Sequence, residues 1–335
     1  GRLASLDLVD GVLQAVLQIP PPEADKFFAI RADAQAALEA LDGVPRARVV
    51  LSAHKAGPSV GGARKRGNPH QPKRPDGRQG DRDITRVVAV SSAKGGVGKS
   101  TVAANLAVAL AQSGQRIGLL DADIHGPSLP MLMGTSGTRT GTTEVDGRPL
   151  INPVMAHGIT TMSIGYLTAD DGPIVWRGPM VQGAISRMLW DVNWGELDTL
   201  IIDMPPGTGD AQLGLAQDIK PAGAIIVSTP QDIALLDARK GIDMFNQMKT
   251  PILGMIENMS THICSKCGHE EHVFGHGGVV AEAEKIGVPL LSEIPLHLDI
   301  RLAADGGAPI VVSKPESAQA AAFRHVARNL IAKGL

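Results

Sequence analysis

The run Ser92-Ala93-Lys94-Gly95-Gly96-Val97-Gly98-Lys99-Ser100-Thr101 follows a short apolar stretch and opens an Ala- and Leu-rich one with helical character. Glycines at this spacing let the backbone curl until several N–H groups converge on one phosphate, and a helix N-terminus adds positive potential. Strand, Gly-rich loop and helix in this order are the setting that a Walker A motif requires. The first motif position holds Ala93 instead of Gly, a small residue in either case. Gly95, Gly96, Val97, Gly98, Lys99, Ser100 and Thr101 are therefore the expected nucleotide-binding residues. Lys99 is expected to reach the β- and γ-phosphates of ATP, and the Ser100 hydroxyl to ligate Mg²⁺. Lys94 sits too early to share its own γ-phosphate with Lys99. It is expected to reach a neighbouring chain's nucleotide across a dimer interface, as an arginine finger does, or else to be an exposed loop lysine.

Three further groups carry possible chemistry. Asp121-Ala122-Asp123-Ile124-His125-Gly126-Pro127-Ser128 leaves the end of an apolar run, where ligands bind in open α/β sheets. Asp123 is the candidate for orienting an attacking water. Asp121 either supports Mg²⁺ through a water or caps the following turn. Thr199 to Asp203 is an apolar run ending in a carboxylate, the Walker B form, which places Asp203 near the Mg²⁺ hydration shell. Pro205-Pro206-Gly207-Thr208-Gly209 follows it and suits a loop sensing the γ-phosphate; Asp210 is read as a helix cap. The third group is Cys264-Ser265-Lys266-Cys267, holding the only two cysteines of the chain. C-x-x-C turns both sulfurs toward one metal, yet two thiolates do not complete a four-ligand site. Three completions are open: two copies in a dimer supplying four thiolates to a [4Fe–4S] cluster, a Zn²⁺ site finished by His262, His269, His272 or His276, or a dithiol redox switch.

These groups need a frame to position them. From Ile84 onward, short β-branched runs alternate with helical ones: strands over Arg86–Val90, Ile117–Asp121, Thr199–Asp203, Ala224–Ser228, Ile252–Ile256 and Pro289–Leu291, and helices over Lys99–Gln112, Ala211–Gln217, Ile233–Met248, Val279–Ile286 and Ala318–Ala332. Nearly continuous apolar strands mean burial on both faces, hence a doubly wound, mostly parallel α/β sheet. Pro149–Val154 and Ile159–Ile164 read as an inserted hairpin. Met131, Met133, Met244, Met248 and Met255 are expected in the core. Phe323, Val326, Leu330 and Ile331 form one face of the last helix, read as packing inward and not onto a membrane.

Composition bounds the rest. The 335 residues allow one large core plus a smaller unit. Residues 1–53 contain an Ala-rich helical stretch, Glu23–Leu41, and a strand, Ala47–Leu51, so they read as a small α/β unit. Residues 54–83 are Gly, Pro, Arg, Lys and Gln with almost nothing apolar, the composition of a flexible basic linker. That linker lacks aromatic residues for base stacking, and net charge is -2, so neither nucleic acid nor an anionic membrane is an expected partner. No apolar run is long enough to span a bilayer, and no basic n-region precedes an apolar segment at the start. One close cysteine pair in a chain this long indicates a reducing compartment, so a cytoplasmic location is expected.

Together these residues resemble a known group of proteins. Ala93 to Thr101 resembles the deviant Walker A loop of the SIMIBI-class ATPases, which include MinD, ParA and the nitrogenase iron protein. Asp123 to Ser128, Trp176-Arg177-Gly178-Pro179-Met180, Asp203 to Asp210 and the C-x-x-C together look like the Mrp/ApbC family of iron–sulfur cluster carriers, over residues 84–335. The resemblance implies an ATP-hydrolysing homodimer that bridges a [4Fe–4S] cluster through Cys264 and Cys267 and hands it to apo iron–sulfur proteins. It also implies that Asn258, after a late strand, reads the adenine ring. Residues 1–53 resemble more weakly the small domain often found at this family's N-terminus, in a form lacking its opening helix and Asp-Pro. Where many relatives carry Cys-Pro, this chain reads Ile19-Pro20-Pro21-Pro22, so no cluster role is expected there. A positioning ATPase cycling on a membrane or nucleoid, and a structural zinc protein, are the competing expectations.

Overall fold

The computed structural model describes residues 3–9, 12–18, 27–41, 47–52, 84–145, 147–168, 178–264 and 266–335. The linker, Ile19 to Pro22 and the Trp176-Arg177 pair lie outside the described residues. The chain divides into two compact units, Gly1–Gly67 and Asn68–Leu335.

In the first unit, strands β1 (Leu3–Val9) and β2 (Val12–Gln18) pair antiparallel, and β3 (Ala47–Ser52) lies parallel to β2. Helix α1 (Phe27–Glu39) makes the crossover between β2 and β3 and packs on β3. Ala15, Ala47 and Val49 are buried. The Ala47 amide donates to Glu39 Oε1 at 3.2 Å, tying the helix end to the strand start.

The second unit holds β4 (Ile84–Ser91), α2 (Lys99–Gln112), β5 (Ile117–Asp121), α3 (Leu129–Leu132), β6 (Thr142–Val145), β7 (Arg148–Ile151), β8 (Val154–Ala156) and β9 (Ile159–Ser163). It continues with α4 (Gly178–Trp190), β10 (Leu197–Asp203), α5 (Asp210–Ile219), β11 (Gly223–Ser228), α6 (Asp232–Gln247) and β12 (Ile252–Ile263). Last come β13 (Glu270–Glu271), α7 (Gly278–Ile286), β14 (Leu290–Leu296), α8 (Leu298–Asp305), α9 (Ile310–Ser313) and α10 (Ala318–Ala332). The sheet runs β13-β12-β11-β4-β10-β5-β9-β8, with β14 also pairing β12. All its pairings are parallel except β12 with β13 and β8 with β9.

The apolar strands are two-sided, and the core proves it residue by residue. Val88, Val90, Ile201, Ile225 and Val227 face one apolar cluster, with α2, α9 and α10. Their neighbours Ala89, Leu200, Ile202, Ala224 and Ile226 face the other, with α4, α5, α6 and α7. Alternation at period two sends successive residues into opposite layers. Burying each large aliphatic side chain contributes about 1.5–3 kcal/mol. The face of α10 behaves likewise: Phe323, Val326 and Leu330 are at most 1% exposed, and Ile331 packs beside them.

Several expectations change. The run 149–154 divides between two strands, and β7 pairs β6 in a separate hairpin. Strand β9 belongs to the main sheet, parallel to β5, so no single inserted hairpin exists over 149–164. Strand β12 continues seven residues past Ile256, through a kink at Met259 (φ 56°) beyond which pairing resumes. Met131 is 50% exposed, unlike buried Met133, Met244 and Met255 and partly buried Met248. No described helix is long and apolar enough to cross a membrane.

Candidate functional site

Strand β4 is central, between β10 and β11, and its C-terminal end delivers the glycine loop. The Ser92 hydroxyl donates to the Lys94 carbonyl at 3.0 Å, and the Gly207 amide, beyond β10, donates to the Ser92 carbonyl at 3.2 Å. Two neighbouring strand ends are thereby laced together. Gly98 precedes α2 at φ 82°, in the left-handed region that favours glycine. A Cβ there would stand 2.3 Å from Asn258 Nδ2, so the position also requires a close approach.

Lys99 opens α2, with only 6% of its surface exposed. Its ammonium donates to Asp203 Oδ1, and to the Ser100 hydroxyl at 3.3 Å. Burial pushes the Asp203 carboxyl up, while the Lys99 ammonium and the Ser100 hydroxyl oppose that rise. Asp121, next to Asp203 in register, is buried. Burial, and then the charge of Asp203, push its carboxyl up to about 7, against the amides of Leu129 and Asp123. Asp121 Oδ2 accepts from the amides of Ser128 and Leu129 at 3.1 Å each and from the Ser163 hydroxyl at 3.2 Å; Oδ1 accepts from the Asp123 amide at 3.0 Å. These bonds tie Asp121 to the turn that follows β5.

Over the loop lies an open cavity of about 540 Å³, within the size range of ligand pockets. Gly95, Gly96, Gly98, Lys99, Ser100 and Thr101 line it, together with Asp123, Pro206 and Asn258. Val97 is buried beneath, and its carbonyl accepts from Asn258 Nδ2 at 2.7 Å. Asp203 and Asp121 sit behind the wall. Asp123 Oδ1 accepts from the Gly126 amide at 3.2 Å. Lys94 is half-buried and does not line this cavity. Met131, expected in the core, and His297 and Arg301, which sequence reasoning did not single out, also line it. The short helices that bring Met131 and Arg301 there, α3 and α8, show too few turns to display a period.

The cysteines stand apart from that cavity, at the tip of the β12–β13 hairpin. The Cys264 amide donates to the His269 carbonyl and the Gly268 amide to the Cys264 carbonyl, each at 2.8 Å. Both thiols are free, Cys264 half-buried and Cys267 exposed. Amides of Lys266 and Cys267 directed at the Cys264 sulfur hold its thiol below the usual range. The four nearby histidines do not join the pair. His262 Nδ1 meets Glu271 Oε1 at 3.0 Å, His272 Nδ1 lies 3.3 Å from the Ser260 carbonyl, and the rings of His272 and His276 stack at 4.2 Å. Among the described residues, the one grouping of three metal-donor side chains is Glu257, His276 and Glu293, without a cysteine.

A phosphate loop at the centre of a doubly wound sheet, with a buried Lys–Asp pair beneath it, defines a P-loop nucleoside triphosphatase. Solved structures agree. The chain is 23% identical, at a TM-score of 0.55 over 75% of its length and 100% of the other, to the cell division ATPase MinD of Pyrococcus furiosus, which shows the fold. It is 42% identical, at a TM-score of 0.60 over 67% of this chain and 87% of that one, to a nucleotide-binding protein from Archaeoglobus fulgidus solved with ADP and Co. A family model described as NUBPL iron-transfer P-loop NTPase matches residues 83–331, and the chain belongs to that family. The iron-sulfur cluster carrier protein of Escherichia coli K12 is 51% identical over 78% of this chain and 70% of its own length. A Synechocystis protein of the same name is 43% identical over 97% and 89%, and the mouse iron-sulfur cluster transfer protein NUBPL 48% over 74% and 77%.

Proposed function

We propose that this chain is an ATP-hydrolysing carrier that holds a [4Fe–4S] cluster between two copies of itself and passes it to apo iron–sulfur proteins. The observation that carries the reading is the joining, in one chain, of a phosphate loop with a C-x-x-C pair, Cys267 exposed and Cys264 half-buried, that no histidine among the described residues completes. Two thiolates per chain meet the four-thiolate need of such a cluster only in pairs. Exposure at a hairpin tip suits a cargo that must be received and surrendered.

In this reading, the loop amides from Gly95 to Thr101 cradle the ATP phosphates, and Lys99 neutralises charge developing on the γ-phosphoryl group. Asp123 aligns the attacking water. Lys94 of one copy acts on the nucleotide of the other. Asn258, clamped to the loop by Val97, contacts the adenine ring. The oxygen donors fit Mg²⁺, since the Ser100 hydroxyl lines the cavity beside the buried Asp203 carboxylate. Bound there, Mg²⁺ would neutralise phosphate charge; Ser100 would hold it directly and Asp203 through its hydration shell. Asp121 braces the turn that carries Asp123. A cytoplasmic location and domain limits of 1–53, 54–83 and 84–335 belong to the same proposal. The inward-packed face of α10 argues against a membrane-cycling positioning ATPase.

The test is anaerobic reconstitution with iron, sulfide and zinc counted per chain. About four irons and four sulfides per two chains are expected, and none in Cys264→Ala or Cys267→Ala. Zinc in place of iron, lost in His269→Ala and His272→Ala, would overturn the proposal.

A further inference from the structure

The grouping of Glu257, His276 and Glu293 is unused by the nucleotide site and by the cysteine loop. Glu257 and Glu293 are register partners on parallel strands β12 and β14, so their side chains leave the same face of the sheet. His276 comes from the loop that leads into α7. A carboxylate oxygen of each glutamate and a ring nitrogen of His276 all lie within 4.8 Å of one another.

The environment of Glu257 is the second, independent observation. The residue is fully buried, at 0% exposure. Its Oε2 accepts from the Val279 amide at 2.9 Å, but its Oε1 is buried without a hydrogen-bond partner. No Lys or Arg among the described residues pairs with Glu257 or Glu293. A buried carboxylate beside a second carboxylate, with one oxygen unsatisfied, is costly unless a proton or a metal cation lies between them.

We propose that Glu257, His276 and Glu293 bind one divalent first-row transition ion per chain, with Zn²⁺ the best match to an imidazole and two carboxylates. Three protein ligands leave the remaining positions to water. The site is separate from the cysteine pair, since neither thiol is among its donors. It does not rest on the carrier reading. Its position gives it a consequence: the ion would pin β12 to β14 and to the α7 loop one residue before Asn258, the side chain that holds the phosphate loop.

The probe is Co²⁺ alone, titrated without nucleotide into the tag-free full chain carrying Cys264→Ser and Cys267→Ser. Visible absorption reports ligand type, and calorimetry reports stoichiometry. One Co²⁺ per chain is expected, free of thiolate charge-transfer bands and displaced by Zn²⁺. Glu293→Gln and His276→Ala, both at exposed positions, should each weaken binding by about 100-fold or more with the far-ultraviolet dichroism unchanged. His262→Ala should bind as the parent does. In the chain with native cysteines, the same thiolate-free bands should appear beside any thiolate ones. Absence of a Co²⁺ equivalent in the parent, or binding undiminished in Glu293→Gln and His276→Ala, would overturn the proposal, whatever the cysteine pair is found to hold.

Discussion

Lys99 is 6% exposed, ion-paired to a buried aspartate, and set at the start of the helix that follows the central strand. Cys267 stands exposed on a turn at the tip of a two-residue strand, on the margin of the sheet. Phosphoryl transfer gains from groups fixed before the reaction begins, because no reorganisation is then needed in the transition state. Cargo exchange needs ligands that an acceptor can reach. The phosphate loop is accordingly laced by Ser92, Gly207 and Asn258, whereas the cysteine turn is closed by two backbone hydrogen bonds. On the proposed function, one chain keeps its rigid chemistry in the middle and its exchangeable chemistry at the edge.

Substitutions can break that contrast, beginning at the centre. Lys99→Ala should lower single-turnover ATP hydrolysis by ~10³–10⁵, by analogy with other charge-stabilising groups of P-loop enzymes. It should also cost about 3–5 kcal/mol of stability in denaturant unfolding, because Asp203 is left buried and unpaired. Near-normal hydrolysis in this variant would end the P-loop reading. Asp123→Asn should reduce hydrolysis by ~10²–10⁴ with nucleotide binding retained. If binding falls in parallel, Asp123 is structural. Asn258→Ala removes the amide that satisfies the Val97 carbonyl and should weaken nucleotide binding by about tenfold, near 1.4 kcal/mol. An unchanged affinity would detach Asn258 from the nucleotide.

At the edge, effects on the centre should be small. Cys264 has a lowered pKa, so at a pH below the ordinary thiol range more of it is thiolate in the folded chain than in the unfolded one. Iodoacetamide should therefore label Cys264 at lower pH in the native protein than in urea. Trypsin cleavage at Lys266 separates the two cysteines for mass analysis. Identical midpoints would remove the electrostatic argument for a ready thiolate. Smallest of all, Cys264→Ser and Cys267→Ser should leave ATP hydrolysis within about twofold of the parent, as expected for substitutions far from a site.

Legibility in the sequence followed the same division. Lys99–Gln112, Ile117–Asp121 and Ala318–Ala332 were readable to the residue, because strong periodicity and buried apolar runs define central elements. The phosphate loop was readable because its glycines and lysines have fixed mechanical tasks. The edge was not. The far half of β12 alternates too little to stand out, and its kink at Met259 uses a non-glycine residue in a left-handed conformation, which no sequence signal announces. The glutamate pair across β12 and β14 was invisible because register is a tertiary fact. The division of labour among His262, His269, His272 and His276 needed coordinates for the same reason.

Cluster transfer from the anaerobically loaded chain to an apo iron–sulfur acceptor, followed by the acceptor's visible circular dichroism, tests the central claim most directly. The loaded parent should convert the acceptor, while the Cys264→Ser/Cys267→Ser chain given the same iron and sulfide should convert no more than buffer does. Failure of the loaded parent to transfer, or equal conversion by the cysteine-free chain, would contradict a cargo role for the edge of the sheet.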